Sequence, residues 1–276
     1  MTNSLAMSLG FVGGGVMAEA ILSRLIASGT SQAKDIFVRE ISDQRSQYLQ
    51  DEYGVSVCSS FEDLTSSVEV LLLAIKPQIF AQNSRDFTLP SDSKVRLVLS
   101  IMAGTSINAM EKIYPETPII RVMPNTPATV GSGISALALG SQASDSEHGI
   151  SQTIFEAVGS VVTVPESSMD AVTALSGSGP AYVAIAVEAL SDAGVSVGLP
   201  RAIASQLALQ TVRGSADLLH YSQIHPAVMK DKVASPGGTT IAGIAALEKA
   251  GVRNAFIEAV QAAYHRSRAL AQLSED

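Results

Sequence analysis

Two glycine-rich turns in this chain have the makings of anion sites. The first lies in GFVGGGVMAEA, Gly10–Ala20, and the second in VASPGGTTIAG, Val233–Gly243. Each sets small residues and backbone N–H groups at the start of an expected helix. Free amides and the positive end of the helix dipole favour a negative charge at such a place. What each turn holds is set by the elements around it.

Gly13, Gly14, Gly15, Val16, Met17 and Ala18 match the G-x-G-x-x-A dinucleotide fingerprint. A strand is expected over Ser8–Val12 and a helix over Val16–Ser28, stopped by Gly29. Gly13 permits the tight turn, Gly15 lets the backbone approach a pyrophosphate, and Ala18 allows close packing of helix on sheet. The tip of the second strand, Val38-Arg39-Glu40-Ile41-Ser42, bears on the choice of cofactor. Glu40 can accept from a ribose hydroxyl and repels a 2′-phosphate, whereas Arg39 and Ser42 pull the other way. The residues leave NADH and NADPH both open.

The elements that position these turns alternate through the first half. Strands are expected at Ile36–Val38, Val55–Val57, Val95–Ile101 and Pro118–Val122, with a polar helix over Asp43–Tyr53. Val68–Ile75, VEVLLLAI, is a continuous apolar run of the kind a strand buried on both faces requires. This order predicts an α/β chain: a Rossmann-type, doubly wound parallel sheet over residues 1–165. Beyond Pro165 strand signals vanish, and residues 166–276 are expected to form an all-helical domain for dimerisation and substrate binding. Ala181–Leu190, AYVAIAVEAL, is apolar nearly all round and is expected to be a buried helix. Further helices are expected from Leu199-Pro200 to His220, over Ile241–Glu248, and over Ala255–Leu270. A helical domain this small covers such a helix poorly alone, so pairing of subunits is expected.

Composition narrows the class. The chain has 276 residues, 46% of them hydrophobic, and a net charge of −8, which disfavours nucleic acid and anionic membranes as partners. A lone cysteine, Cys58, excludes an intrachain disulfide and a cysteine-based zinc site. His148, His220, His225 and His265 lack metal-binding spacing, so no metal is expected. No apolar run approaches the ~20 residues that span a bilayer. No basic stretch leads into an apolar one near the start, so no secretory leader is expected and a cytoplasmic enzyme is.

Ser176-Gly-Ser-Gly-Pro180 and Ser235-Pro-Gly-Gly-Thr-Thr240 each offer hydroxyls and amides at a helix start. Serine and threonine there also serve as ordinary caps. With a cofactor fold in the same chain, the pair points to a small carboxylate ligand. The ordered set GFVGGGVMAEAI, LLLAIKPQ, RVMPNTPA, TALSGSGPAYV and HPAVMKDKVASPGGTTIAGIAALE resembles the pyrroline-5-carboxylate reductases over nearly the whole length. The resemblance implies reduction of 1-pyrroline-5-carboxylate to L-proline by hydride from NADPH or NADH. It also implies a homodimer interlocked through the helical domain and assembled further, to a decamer.

Carried over by residue, the resemblance implies that Gly13–Ala18 hold the pyrophosphate. Ala74, Ile75, Lys76, Pro77 and Ala103 would line the nicotinamide half, with Asn125 nearby. Ser235, Gly238, Thr239 and Thr240 would hold the substrate, and the Thr240 hydroxyl would face the ring nitrogen as the catalytic group. Glu40 stands where members often carry Ser or Asn, and Ser59-Ser60 where a cofactor-contacting Asn is common, so Ser60 is the candidate contact. Lys232 replaces an Asn that some members use near the substrate. No Asp, Glu or His lies within the second turn, which suits a cyclic imine that takes its proton from water.

Two other readings of the residues stand beside this one. Hydroxyacid dehydrogenases of the 6-phosphogluconate type place a catalytic lysine one helical turn past a glycine turn, where this chain has Val183 after Gly177-Ser-Gly179. A non-catalytic sensor would bind the dinucleotide and use SPGGTT as a bare cap.

Overall fold

The computed structural model describes residues 5–272. Strand and helix alternate from the start: β1 (Leu9–Val12), α1 (Val16–Ala27), β2 (Ile36–Arg39), α2 (Asp43–Tyr53), β3 (Ser56–Val57), α3 (Phe61–Ser67), β4 (Val70–Leu73) and α4 (Pro77–Gln82). Then come β5 (Leu97–Ser100), α5 (Ile107–Glu111), β6 (Ile119–Met123), β7 (Gly133–Leu139), α6 (Asp145–Glu156) and β8 (Gly159–Thr163). A short helix, α7 (Met169–Val172), runs into a π-helical turn at Thr173–Gly177. The helices that follow are α8 (Gly179–Ser196), α9 (Arg201–Ser222), α10 (Pro226–Val233), α11 (Thr239–Lys249) and α12 (Val252–Gln272).

One sheet takes all eight strands in the order β3-β2-β1-β4-β5-β6-β7-β8. The order reverses between β1 and β4, which opens a crevice at the carboxyl ends of these strands. Val70, Leu71, Leu72 and Leu73 of β4 are all fully buried, as the apolar run predicted. Each such side chain stabilises the sheet by roughly 1.5–3 kcal/mol relative to exposure. Apolar clusters cover both faces, one gathering Ile21, Leu25 and Phe155, the other Leu64, Met110 and Tyr114.

The expected parallel sheet gains two strands that were not foreseen, β7 and β8, and one of its pairings is antiparallel. β7 runs antiparallel to β6, with Ile120 opposite Leu139 and Met123 opposite Ala136. The connection between them, residues 124–132, holds only a 3₁₀ helix at Thr126–Val130, and a parallel return needs a crossover of a dozen or more residues.

By contacts the chain divides into two units, one running to Ser178 and resuming at Ala263, the other Gly179–Ala262. The stretch after the change of composition at 165 stays with the sheet. Met169 and Ala174 are buried, and Glu166 pairs with Arg121 of β6 at 3.1 Å. Near the end of the chain, the Ser267 hydroxyl donates to Asp170 at 2.7 Å.

In the helical unit, α8 and α9 approach closely: a Cβ on Gly194 would lie 2.9 Å from that of Ala204. The expected burial of α8 is not met within the single chain, where Ile185 is 65% exposed and Val183 and Leu190 are exposed too. Among the described residues of α8–α12 only Ser191, Ala204 and Ala208 are buried. The apolar periphery of α8 reflects what it could bury, but α9 covers only one side of it.

Candidate active site

The first turn has the backbone that its glycines predict. Gly13 sits at φ +95°, and a Cβ there would come within 2.8 Å of the Ala74 carbonyl oxygen. Any other residue would be strained by conformation and by contact. Its N–H donates to the Arg39 carbonyl at 2.8 Å, which ties the turn to the end of β2. Gly15 precedes α1 as its N-cap and provides no side-chain cap. The first-turn amides of Val16, Met17 and Ala18 therefore lack the intrahelical partners that later residues have. A Cβ built on Gly15 meets nothing within 4 Å, so the turn faces open space on the side where a pyrophosphate would approach. Ala18 is fully buried beneath it. These features fit a dinucleotide.

Both polar groups of Gly14 are fixed by side chains. Its N–H donates to Glu40 Oε2 at 2.7 Å, and its carbonyl accepts from Arg45 Nε at 2.6 Å. Arg45, on α2, also pairs with Glu19 of α1. Burial alone would raise the Glu19 carboxyl, but hydrogen bonds from Arg45, Tyr53 and Tyr48 outweigh it and hold the group below the usual carboxylate range. The other Glu40 oxygen, Oε1, accepts from the Ser42 N–H at 2.9 Å. Sequence reasoning singled out Glu40 but not Arg45, whose role comes from α2 crossing beside α1.

A cleft of about 610 Å³ opens where β1, β2 and β4 end. Gly13, Gly15, Arg39, Glu40, Ser60, Ala74, Ile75 and Lys76 all line it. The Ser60 hydroxyl caps α3, accepting from the Asp63 N–H at 3.0 Å. Ile41, Phe61, Ile79 and Phe87 add an apolar wall that the sequence did not reveal. Phe61 and Phe87 meet edge to face with ring centroids 5.6 Å apart. Such a wall suits the flat face of a heteroaromatic base. No motif joins these positions, so no sequence signal marked them.

The remaining candidates of this half lie outside the lining of that cleft. Gly14 is spent on Glu40 and Arg45. Val16 and Met17 belong to the first turn of α1, Pro77 to the first turn of α4, and Ala103 is exposed beyond β5. Asn125 is engaged at both ends of its amide: Oδ1 accepts from the Ile134 N–H at 2.9 Å, and Nδ2 donates to the Ser176 carbonyl at 3.2 Å.

The two serine-rich helix starts differ. The Ser176 hydroxyl donates to the Val172 carbonyl, and the Ser178 N–H donates to that of Thr173. The π-helical turn thus consumes its own groups. The stretch from Ser235 does not. The Gly238 N–H closes a turn onto the Ser235 carbonyl at 3.1 Å, and Gly238 then serves as N-cap of α11 without a side-chain cap. A Cβ on Gly238 would sit 2.3 Å from the Ser235 hydroxyl. Among the described residues, the hydroxyls of Ser235, Thr239 and Thr240 take part in no hydrogen bond. Lys232, just before this turn, is exposed on the last turn of α10.

Comparison with known proteins agrees with both halves. Residues 166–270 match the family described as pyrroline-5-carboxylate reductase dimerisation, and residues 8–104 match NADP oxidoreductase, coenzyme F420-dependent. A pyrroline-5-carboxylate reductase from Synechocystis sp. is 53% identical over 96% of this chain and 99% of its own. One from Arabidopsis thaliana is 40% identical over 97% and 96%. Among solved structures, that of a pyrroline-5-carboxylate reductase from Coxiella burnetii aligns with a TM-score of 0.88 at 32% identity, covering 96% of this chain and 99% of its own. A Plasmodium falciparum pyrroline carboxylate reductase with NADP bound aligns at 0.86 and 31% identity, covering 97% and 99%. Identity of this order over nearly the full length shows that the chain belongs to the pyrroline-5-carboxylate reductase family.

Proposed function

We propose a division of labour between the two glycine-rich turns in the reduction of 1-pyrroline-5-carboxylate to L-proline, the reaction of this chain's family. The chain is an NAD(P)H-dependent oxidoreductase acting on the ring C=N bond. Its first turn holds the dinucleotide, through the amides of Gly15, Val16 and Met17, with Ala74, Ile75 and Lys76 beside the cofactor. Pro77, Ala103 and Asn125 belong to the nicotinamide side of the same proposal. The second turn holds the substrate, whose carboxylate is received by the amides of Gly238, Thr239 and Thr240 and by the Ser235 hydroxyl.

The observation that carries this reading is the helix start at Thr239: an N-cap with no side-chain cap beside three hydroxyls without partners among the described residues. A bare structural cap would leave the same backbone but would spend a hydroxyl on it.

When bound, the reduced nicotinamide supplies the hydride. The protein's own contribution is to hold and orient. Restricting two reactants to near-attack geometry lowers a barrier by as much as ~7–11 kcal/mol in the best cases. Thr240 sets its hydroxyl against the ring nitrogen, where it accepts from the N–H of the protonated imine and fixes which face of the ring is presented. No carboxyl or imidazole group lies within 235–240. A cyclic imine can take its proton from water, and the Thr240 hydroxyl orients the nitrogen or relays that proton.

Exposed apolar residues on α8, α9 and α12, such as Ile185, Leu207 and Ile257, support pairing of two chains through the helical unit. The family resemblance extends this to a decamer built from such dimers. Among the described residues no helix is long and apolar enough to cross a membrane.

The test is loss of nicotinamide absorbance on adding 1-pyrroline-5-carboxylate. Thr240→Ala should lower kcat by about tenfold or more while the cofactor still binds. Unchanged turnover in that variant removes Thr240 from the reaction. Binding of cofactor without any oxidation in the wild type favours the sensor.

A further inference from the structure

We infer that Glu40 makes this chain select NADH over NADPH, because its carboxylate occupies the place and the donors that a 2′-phosphate would need. The inference rests on the first turn being the dinucleotide site.

Glu40 stands at the tip of β2 and lines the cleft beside Gly13 and Gly15. Its two oxygens are held separately, Oε2 by the Gly14 N–H at 2.7 Å and Oε1 by the Ser42 N–H at 2.9 Å. A carboxylate oxygen accepts more than one hydrogen bond, so each retains capacity for a ribose hydroxyl. The 2′-hydroxyl of NADH can donate to it; a 2′-phosphate at neutral pH has no comparable donor and brings a like charge.

Of the neighbouring groups that would hold a phosphate, the Ser42 amide is taken by Glu40, while Arg39 and the Ser42 hydroxyl are partly engaged and keep donors only beside the Glu40 charge. Arg39 Nη1 donates to the Glu40 carbonyl at 2.8 Å. The Ser42 amide is bound to Glu40, and the Ser42 hydroxyl accepts from the Arg45 N–H at 3.3 Å as the cap of α2. Turning Glu40 away to admit the phosphate would leave the Gly14 and Ser42 amides without their acceptor. It would also release the peptide that shapes the pyrophosphate turn. Selection is therefore built into the same carboxylate that shapes the turn.

Direct binding tests this without turnover. NADH and NADPH are titrated separately into the full-length protein, with nicotinamide fluorescence as the readout. Wild type is expected to bind NADH more tightly by about tenfold or more, the scale of an unscreened like-charge contact at short range. Glu40→Gln removes the charge and keeps one acceptor oxygen, so one of the Gly14 and Ser42 amides loses its partner and both cofactors bind more weakly, but the ratio between them should still fall by most of its size. Glu40→Ser should bring the ratio to unity or reverse it. A circular dichroism melt checks that each variant is folded, and Glu40→Gln serves if Glu40→Ser is not. Equal or tighter NADPH binding by wild type overturns the inference, as does a ratio unchanged in both folded variants. Failure of both cofactors to bind overturns the dinucleotide reading itself.

Discussion

Arg45 Nε donates to the Gly14 carbonyl at 2.6 Å, so a guanidinium on the second helix braces the peptide at the centre of the first glycine turn. The same side chain pairs with Glu19 of α1. The turn is thus held from outside by side chains, on a backbone whose glycines allow it to bend but do not fix it.

Replacing Arg45 with Ala removes that brace while leaving the cleft lining intact. Hydrogen bonds to charged groups contribute roughly 1.5–3 kcal/mol, so both NADH and NADPH should bind about tenfold more weakly or worse. The ratio between the two cofactors should stay as in wild type, since Glu40 keeps its bonds to Gly14 and Ser42. Fluorescence titration checks both numbers, and a change in the ratio alone would contradict the bracing role.

Glu19 makes stability depend on pH in a definite direction. Its carboxyl is held below the ordinary 4.5 by Arg45, Tyr53 and Tyr48 against the opposing effect of burial. A depressed folded value stabilises the protein fully above the unfolded value, and that contribution fades as pH falls through the folded one. Glu19→Gln should therefore cost about 1–3 kcal/mol at pH 7. The difference from wild type should shrink at pH values below 4.5, as measured by urea unfolding. A difference that stays constant across that range would show that the loss is not electrostatic.

Cys58 is 5% exposed, and burial, with the nearby Asp63 charge adding to it, pushes its thiol up to about 11. The folded protein should resist thiol reagents at pH 8, because the thiolate is the reactive form. Dissolved in urea, it should react at once. Rapid modification of the native enzyme would show that the apolar cluster around Cys58 opens readily.

The first turn was legible in the sequence because its geometry depends on residues that few others can replace. Gly13 at φ +95° against the Ala74 carbonyl is such a place. The buried run of β4 was legible because VEVLLLAI is short, apolar and stopped by Lys76-Pro77, which suits a strand covered on both faces. Arg45 was not, because its partners lie in another helix and no spacing rule links them. Nor were Phe61 and Phe87, which meet across a wall with no motif of their own. β7 and β8 were hidden altogether: GISALAL is small and rich in alanine, a weak strand signal, and the direction of β7 is decided by the length of the preceding connection. For the second turn, sequence supplied the helix start, but only the structure shows its hydroxyls unspent.

The central claim is that the amides opening α11 receive the substrate's carboxylate. A crystal structure of the enzyme with NADH and a non-reactive cyclic amino acid such as L-proline tests it most directly. Density for the carboxylate is expected within hydrogen-bond distance of the Gly238–Thr240 amides, with the ring nitrogen facing the Thr240 hydroxyl. A ligand bound elsewhere, with that helix start filled by protein side chains, would contradict the assignment.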